Sequence, residues 1–343
     1  MDAEAKAYNA LNIAHLTNRN KLQRARQSAH SWQKASLPAG VAIDRERQWQ
    51  RLTACGVSLA LETDPHFPPL LREIVNAPLG IYTKGAPLNH AAVTIAIGGP
   101  RKATNQGTEI ARAFGKELAE SGITVISGLA LGIDAAAHEG ALAGNGTTVA
   151  VLANGLDAVY PKQNERLAYS IITSGGTLVS EYPLGAPSLP ERFLERNRII
   201  SGLCRAVIVI EAPERSGSLA TAAYALEQNR EIFVVPGPMS HPNYRGSHEL
   251  IKAGAALITG IGDVLKALNL EPVAHAHRAA KNAQALDADE QAVFNALQAA
   301  AEPLGADAIA TTCALPIETI NRTLGLLAVR GVVSERGGNY TVA

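Results

Sequence analysis

The sequence has little cysteine and no long run of apolar residues. Its three cysteines lie far apart in 343 residues and share no metal-ligand spacing: Cys55, Cys204 and Cys313. Such a sparse, odd set argues against a disulfide framework and is typical of a reducing cytosol. No apolar run approaches the roughly eighteen residues of a membrane span, and no basic start leads into an apolar stretch. We therefore expect a cytoplasmic protein with no membrane partner.

The sequence also lacks an excess of either charge. Lys and Arg number 31, and so do Asp and Glu, so no global field draws the protein onto nucleic acid. Any phosphate-binding site must therefore be local, a pocket or a stripe. Apolar residues make up 47% of the chain, which predicts a large buried core, and the length is enough for two or three domains.

Several catalytic and cofactor motifs are missing. There is no G-x-x-x-x-G-K-[ST], no G-x-S-x-G, and no G-x-G-x-x-G after the first apolar run with an acidic ribose partner. Asp134 and His138 lie one helical turn apart, but two ligands are too few for a metal, and a helix cap beside a packed histidine is the favoured interpretation. We predict no cofactor, no metal and no catalytic residue.

What the chain does contain is a regular alternation of short apolar runs with amphipathic segments. In Gln106–Ser121, for example, Ile110, Phe114 and Leu118 recur on one helical stripe. Nearly continuous apolar runs are typical of strands covered on both faces, so we predict an α/β fold with a doubly wound, mostly parallel, Rossmann-like sheet. The predicted strands are Val93–Ile97, Thr124–Ile126, Thr147–Leu152, Thr177–Ser180, Ala206–Glu211 and Glu231–Val235.

Ligands of such sheets collect at the carboxyl ends of the strands, where this chain has several turns suited to anions. Gly98–Thr104 follows the first strand and contains Arg101, whose planar guanidinium matches a phosphate. Lys162 follows the third strand, Phe193 comes after the fourth, and Ser216–Thr221 comes after the fifth. Each also has an ordinary structural interpretation: a solvated arginine, a surface lysine, an aromatic packed inward, a capped helix.

In chain order, these strings resemble the DNA processing protein A family (DprA, also called Smf), from about Asp64 to Leu268. The strings that carry the resemblance are Phe67–Leu71, Leu79–Gly85, Gly99–Arg101, Ser127–Asp134 with His138, Tyr160–Asn164, Arg196–Leu203, Ser216–Ala222 and Val234–Gly237. The resemblance implies a protein that binds single-stranded DNA, forms a homodimer and loads RecA, protecting incoming DNA during natural transformation.

The resemblance also implies the site. Arg101 and the turn before it would bind phosphate, Lys162 would line the same pocket, and Phe193 would lie against a base with Arg198 nearby. The expected nucleic-acid-binding residues are Gly99, Pro100, Arg101, Ser127, Gly128, Lys162, Arg192, Phe193 and Arg198. Two prolines depart from the family pattern. Pro100 stands where a small polar residue is usual and has no N–H to donate, and Pro190 stands where a basic residue is common, for which Arg192 would substitute.

The flanks predict further domains. We expect a helical N-terminal domain over residues 1–89, the Rossmann-like domain over 90–270, a linker over 271–285 and a winged-helix domain over 286–343. No acidic residue occurs from Ala5 through Ile43, and the basic segment Arg19–Lys34 is either a solvated face or a secondary contact for a strand or partner.

Two other functions remain open from the sequence alone. The Ser216–Thr221 loop also resembles the helix start of nucleotide phosphoribohydrolases, in which Glu227 would act. A winged-helix regulator would read duplex DNA, but its recognition helix offers only Arg322 and Arg330 as cations, which favours partner docking or a structural role.

Overall fold

The computed structural model describes residues 2–270, 287–300, 303–329, 333–336 and 338–342. Contacts divide the chain into two units, Met1–Leu270 and Glu271–Ala343, and each is described by itself. The predicted linker, 271–285, lies outside the described residues, as does Arg330. The linker and the boundary at residues 89 and 90 stay predictions.

The first unit is built on one nine-stranded sheet with the order β1-β2-β6-β5-β4-β3-β7-β8-β9. The strands from β6 through β9 in that order are mutually parallel, whereas β1 and β2 are antiparallel additions at one edge. The α/β prediction is confirmed, and all six predicted runs form strands, β3 to β8. The strands are Val57–Leu61, Gly80–Gly85, Thr94–Gly98, Thr124–Ser127, Thr148–Leu152, Thr177–Ser180, Ala206–Val209, Glu231–Val234 and Ala256–Leu257.

The central strands are apolar throughout because helices cover both faces of the sheet. Every residue of β4, β5, β6 and β7 is buried. The helices of this unit, α1 to α11, are Asp2–Ala14, Arg19–Ala29, Arg45–Ala54, Pro69–Arg72, Asn105–Glu120, Ile133–Ala143, Glu165–Thr173, Pro190–Gly202, Gly217–Glu227, Arg245–Lys252 and Ile261–Ala267. The chain runs from β3 outward to β6 and then returns to the other side of β3 as β7, so the strand order reverses between β3 and β7. A crevice at the carboxyl ends follows from that reversal.

The N-terminal segment is helical, as predicted, but it also supplies β1 and β2. The helical prediction for residues 1–89 is therefore incomplete. Its helices are fixed to the sheet by a buried polar contact. The Tyr82 hydroxyl on β2 accepts from Asn12 Nδ2 at 3.2 Å and donates to Asn9 Oδ1 at 2.9 Å, both on α1. Tyr8 and Trp32 pack edge to face, with ring centroids 4.9 Å apart, in the core beneath α2.

The second unit has the predicted winged-helix order of three helices followed by a hairpin. Its helices α12 to α14 are Ala288–Ala299, Ala306–Cys313 and Ile317–Val329, and its strands β10 to β12 are Leu304–Gly305, Val333–Arg336 and Asn339–Val342. Phe294, Leu324 and Leu327 are buried in its own small core. Within the described parts of both units, no helix combines the length and apolarity needed to span a bilayer.

Candidate nucleic-acid interface

A cleft of about 470 Å³ lies at the point where the strand order reverses. The turn after β3 forms one wall, and the first turn of α9 with the inner side of α8 forms the other. The polar residues that line it are Arg101, Ser127, Asp134, Arg196, Asn197, Ser216, Ser218 and Thr221. This cleft occupies the position expected for a ligand site in a doubly wound sheet.

A second cavity, of about 350 Å³, adjoins the cleft. Its lining includes Tyr160, Pro161 and Lys162 from the loop after β5. Arg101, Ala130 and Phe193 line both cavities, so these three residues form the partition between them. The two cavities together make one concave surface along the carboxyl edge of the sheet.

Three side chains are stacked in a row at that partition. The guanidinium carbon of Arg101 lies 4.7 Å from the ring centroid of Phe193, and the rings of Phe193 and Tyr160 have centroids 5.5 Å apart. Arg101 is exposed, Phe193 is half-buried and Tyr160 keeps 44% of its surface exposed. An accessible cation beside two accessible aromatic rings offers contacts to phosphate and to unstacked bases.

The turn that carries Arg101 is held on one side by the buried carboxylate of Glu211, which follows β7. The Thr104 amide donates to this carboxylate at 3.2 and 3.3 Å, the Thr104 hydroxyl also donates to it, and Asn243 Nδ2 donates at 2.7 Å. The same Asn243 amide group donates to the Lys102 carbonyl at 3.1 Å. Thr104 in turn caps α5, since its hydroxyl oxygen accepts from Gly107 N at 2.9 Å.

On its other side the turn packs against the start of α6. A Cβ on Gly99 would lie 2.4 Å from Ile133, so only glycine fits there. Gly132 has φ +80°, and a Cβ would lie 2.5 Å from the Pro100 carbonyl oxygen. The two glycines let the turns after β3 and β4 lie directly against each other.

Below the cleft, Asp134 and Arg196 are almost completely buried. Asp134 Oδ2 accepts from Gly128 N at 3.1 Å and Ala130 N at 3.3 Å, which confirms its predicted place in the first turn of α6. Arg196 donates through Nη1 to the Gly128 carbonyl at 2.8 Å and to the Val151 carbonyl. Burial raises the pKa of Asp134 and the Arg196 charge opposes this, while burial lowers the pKa of Arg196 to about 10.

His138 is the packed histidine that the sequence analysis favours. Its Nδ1 lies 2.7 Å from Thr148 Oγ1, which itself donates to the Val125 carbonyl at 2.8 Å, so the proton between them belongs to Nδ1. Burial, together with the Arg196 charge, lowers the pKa of His138 to about 3, so the ring is neutral. In the described residues no cluster of three or more His, Cys, Asp or Glu side chains is arranged to hold a metal.

Of the expected site residues, Gly99 and Pro100 line the cleft, Lys162 lines the second cavity, and Arg101 and Phe193 line both. Ser127 and Gly128 also line this surface, but their polar groups are engaged inside the protein. The Ser127 hydroxyl donates to the Ile97 carbonyl at 2.7 Å, and both backbone groups of Gly128 are bonded to Asp134 or Arg196.

Arg192 and Arg198 line neither cavity. Arg192 is buried, donates to the Pro187 carbonyl at 2.7 Å and places its guanidinium carbon 4.5 Å from the Tyr182 ring centroid. Arg198 forms a two-pronged contact with the Glu181 carboxylate, both distances being 2.7 Å. Arg192 does not substitute for a basic residue at position 190, because its side chain points back along the loop toward Pro187.

Of the residues that a nucleotide phosphoribohydrolase would use here, the Ser216–Thr221 loop lines the cleft and Glu227 does not. Ser216, the N-cap of α9, is in the lining, with Gly217, Ser218 and Thr221. Glu227 lies at the opposite end of α9 and lines a separate cavity of about 390 Å³ with Arg198. The carboxylate that the alternative requires is therefore one helix length from the loop it should serve.

Comparison with known proteins relates both units to one family. The family model described as DNA recombination-mediator protein A matches residues 58–269, and the DprA winged helix domain model matches residues 277–339. Protein Smf of Escherichia coli K12 is 45% identical over 202 residues, which are 59% of this chain and 54% of Smf. DNA processing protein DprA of Streptococcus pneumoniae R6 is 42% identical over 202 residues, which are 59% of this chain and 71% of that protein. The chain thus spans about half the length of the Escherichia coli relative.

Solved structures give the same relationship. The X-ray structure of DNA processing protein A from Streptococcus pneumoniae matches with a TM-score of 0.62 and 32% identity, covering 78% of this chain and 97% of that one. DNA processing protein A from Helicobacter pylori, described with a unique single-stranded DNA binding mode, matches with a TM-score of 0.55 and 28% identity over 62% of this chain and 95% of that one.

Proposed function

Because the chain belongs to the DNA recombination-mediator protein A family, we propose that it binds single-stranded DNA along its two adjoining cavities. The observation that carries this proposal is the stacked row of Arg101, Phe193 and Tyr160 at the partition between them. The relative from Helicobacter pylori, described with a single-stranded DNA binding mode, supports the class of ligand.

In this proposal Arg101 binds a phosphate and the rings of Phe193 and Tyr160 receive unstacked bases. Lys162, exposed at the rim of the second cavity, meets a phosphate further along the strand. The site needs no global positive charge, because only these local cations contact the backbone. Stacking accepts any base, so binding is expected to be largely independent of sequence.

The other expected residues take an indirect part. Ser127 and Gly128 hold the strand ends together beneath the cleft, since their polar groups are already bonded. Arg192 and Arg198 fix the loop before α8 and the helix itself through Pro187 and Glu181. We propose that these four residues position Phe193 and the cleft walls rather than contact DNA.

We further propose that the bound strand is a substrate for RecA loading, and that the chain thereby protects incoming DNA during natural transformation in the cytoplasm. The family description as a recombination mediator supports this role, and the three free cysteines suit a reducing compartment. RecA filament formation on strands coated with single-strand-binding protein, measured with and without this protein, tests it. Equal rates in both reactions would count against loading.

We propose a homodimer that forms at the β9 edge of the sheet. Leu257 on β9 is 49% exposed although Ile258 beside it is buried, and an exposed apolar edge strand favours pairing. Leu257→Arg is expected to convert the dimer into a monomer of half the mass with unchanged helix content. Light scattering across micromolar concentrations measures this, and wild type that is already monomeric contradicts the proposal.

Replacing Arg101 with alanine tests the DNA site itself. Loss of one phosphate contact is expected to weaken oligo-dT binding by about fivefold near 0.1 M salt and to flatten the log–log salt slope by about 0.7. Fluorescence anisotropy at several salt concentrations measures both quantities. Arg205→Ala is the matched control, because Arg205 is an exposed arginine at the amino end of β7, the opposite edge of the sheet.

The control is expected to bind like wild type. If both arginine variants lose the same affinity, binding reflects net charge rather than a site at the strand ends. If folded wild type binds no single-stranded DNA at any salt concentration, the proposed function is wrong.

A further inference from the structure

Helix α2 presents a surface on which every exposed side chain can donate a hydrogen bond. Its exposed residues are Asn20, Lys21, Arg24, Gln27 and Ser28, none of them acidic and none apolar. Each side chain has an N–H or O–H to donate, and two are permanently charged near neutral pH. This helix precedes residue 58, where the match to the family model begins.

The two cations on this face are uncompensated. Lys6 pairs with Glu46 at 2.7 Å, and Arg26 pairs with Glu62. In the part of the chain that the structure describes, Lys21 and Arg24 have no hydrogen-bond or ion-pair partner for their side chains. Since no acidic residue occurs from Ala5 through Ile43, the face is a local concentration of positive charge on a chain with no net charge.

The opposite face of α2 holds the helix firmly in place. Leu22 is 2% exposed, and Arg19 Nε donates to the Ala77 carbonyl at 3.1 Å. Arg26 lies between the Glu62 carboxylate and the Trp32 ring, whose centroid is 5.5 Å from its guanidinium carbon. The backbone that carries the outer donors is therefore held in place before any ligand binds, and the ordering cost of binding is confined to the side chains.

The position of Lys21 does not serve the stability of the helix. It lies in the first turn, which has no acidic residue, and there a positive charge opposes the helix dipole. A bound anion would relieve that opposition. An exposed charged face that costs helix stability is more readily explained by binding than by folding.

We propose that this α2 face is a second nucleic-acid contact, which binds the phosphate backbone of a strand whose other part occupies the cleft. The inference rests on the proposed single-stranded DNA binding. Cationic and amide donors without carboxylates fit phosphate oxygens. A lipid surface fits less well, because the face has no exposed apolar side chain to enter a bilayer.

The distance between the two contacts sets the length of DNA that reaches both. Asn20 lines a cavity with Tyr224 and Gln228 at the end of α9, and the first residues of α9 line the cleft. The eleven residues of α9 span about 16 Å, so a strand must extend several nucleotides beyond the cleft to reach α2. Glu195 and Glu227 line the intervening cavity, so the strand is expected to leave the surface there and return at α2.

The test compares short and long oligonucleotides on a double variant, Lys21→Ala with Arg24→Ala, in the full chain. An oligo-dT of about six nucleotides fills the cleft alone, and one of about 25 reaches α2. The variant is expected to bind the long strand about 5- to 25-fold more weakly near 0.1 M salt, with a salt slope flattened by about 0.7 to 1.4, and the short strand as wild type does. The control, Lys116→Ala with Lys266→Ala, removes the same charge from exposed positions on α5 and α11 and is expected to change neither.

Other outcomes overturn the inference in distinguishable ways. Unchanged long-strand binding by the double variant rejects the α2 contact and leaves the proposed function standing. If the double variant loses the same affinity for the short and the long strand, α2 acts on the cleft. If the control loses as much affinity for the long strand as the double variant does, the effect is one of net charge. Either result rejects the second contact. Loss of binding to phosphatidylserine vesicles, with long-strand binding intact, assigns the face to a membrane instead. Wild type that binds neither oligonucleotide removes the proposed function itself.

Discussion

Replacing Arg196 with alanine is expected to lower the free energy of unfolding by about 3 to 5 kcal/mol. The side chain is 4% exposed and donates to the carbonyls of Gly128 and Val151, and the substitution removes both of these buried hydrogen bonds. It also removes the positive charge that offsets the buried carboxylate of Asp134. Urea denaturation of the variant and wild type, followed by circular dichroism, measures the difference.

Two further variants make this prediction specific. Arg112→Ala removes an exposed arginine whose ion pair with Glu139 at 2.8 Å leaves both side chains nearly half exposed, so its loss is expected to cost less than about 1 kcal/mol. Adding Asp134→Asn to Arg196→Ala is expected to recover part of the stability, because no uncompensated charge then remains. A loss below about 1 kcal/mol for Arg196→Ala would show that water replaces its hydrogen bonds.

Phe193→Ala is expected to weaken binding to single-stranded DNA by about 5- to 150-fold, the equivalent of roughly 1 to 3 kcal/mol for one stacked base. The ring is half-buried between Arg101 and Tyr160, so its removal deletes the centre of the stacked row and frees Arg101 from its place over the ring. Anisotropy of labelled oligo-dT with wild type and variant measures the loss.

The conservative variants separate stacking from packing. Phe193→Tyr keeps an aromatic face and is expected to bind within about threefold of wild type, whereas Phe193→Leu keeps bulk without a π surface and is expected to resemble alanine. If leucine restores binding, Phe193 supports the wall of the cleft and the bases lie elsewhere. Thermal unfolding of each variant checks that the helix remains folded.

The sequence predicts the centre of the sheet well and its antiparallel edge poorly. Strands β3 to β8 are short apolar runs because both faces are covered, and that pattern is visible without a structure. Strand β1 mixes buried, half-buried and exposed positions, and β2 begins and ends with glycine and contains Lys84. Neither has the composition of a covered strand, and their membership in the sheet depends on pairing with β6 more than ninety residues later.

Residues that line the two cavities could be predicted where they belong to a segment that comes after a strand end. Arg101, Lys162 and Phe193 belong to strings after strand ends, and the structure brings all three to one surface. Arg196 and Glu211 were not singled out, because their importance lies in what they contact across the chain. Glu211 holds Thr104 from 107 residues away, and Arg196 holds Gly128 from 68. Arg192 shows the opposite case. It is next to Phe193 in the sequence, but this proximity does not determine the direction in which its side chain points.

The turn after β3 is held by contacts that do not depend on which residue occupies position 100. Its geometry is imposed from outside, by Glu211 through Thr104, by Asn243 through the Lys102 carbonyl, and by the close packing of Gly99 on Ile133. None of these contacts uses the backbone nitrogen of residue 100. Proline and residues with a backbone N–H can therefore exchange at position 100 during evolution without shifting Arg101. The ability of residue 100 to donate a hydrogen bond to a ligand can change while the contacts that orient Arg101 stay the same.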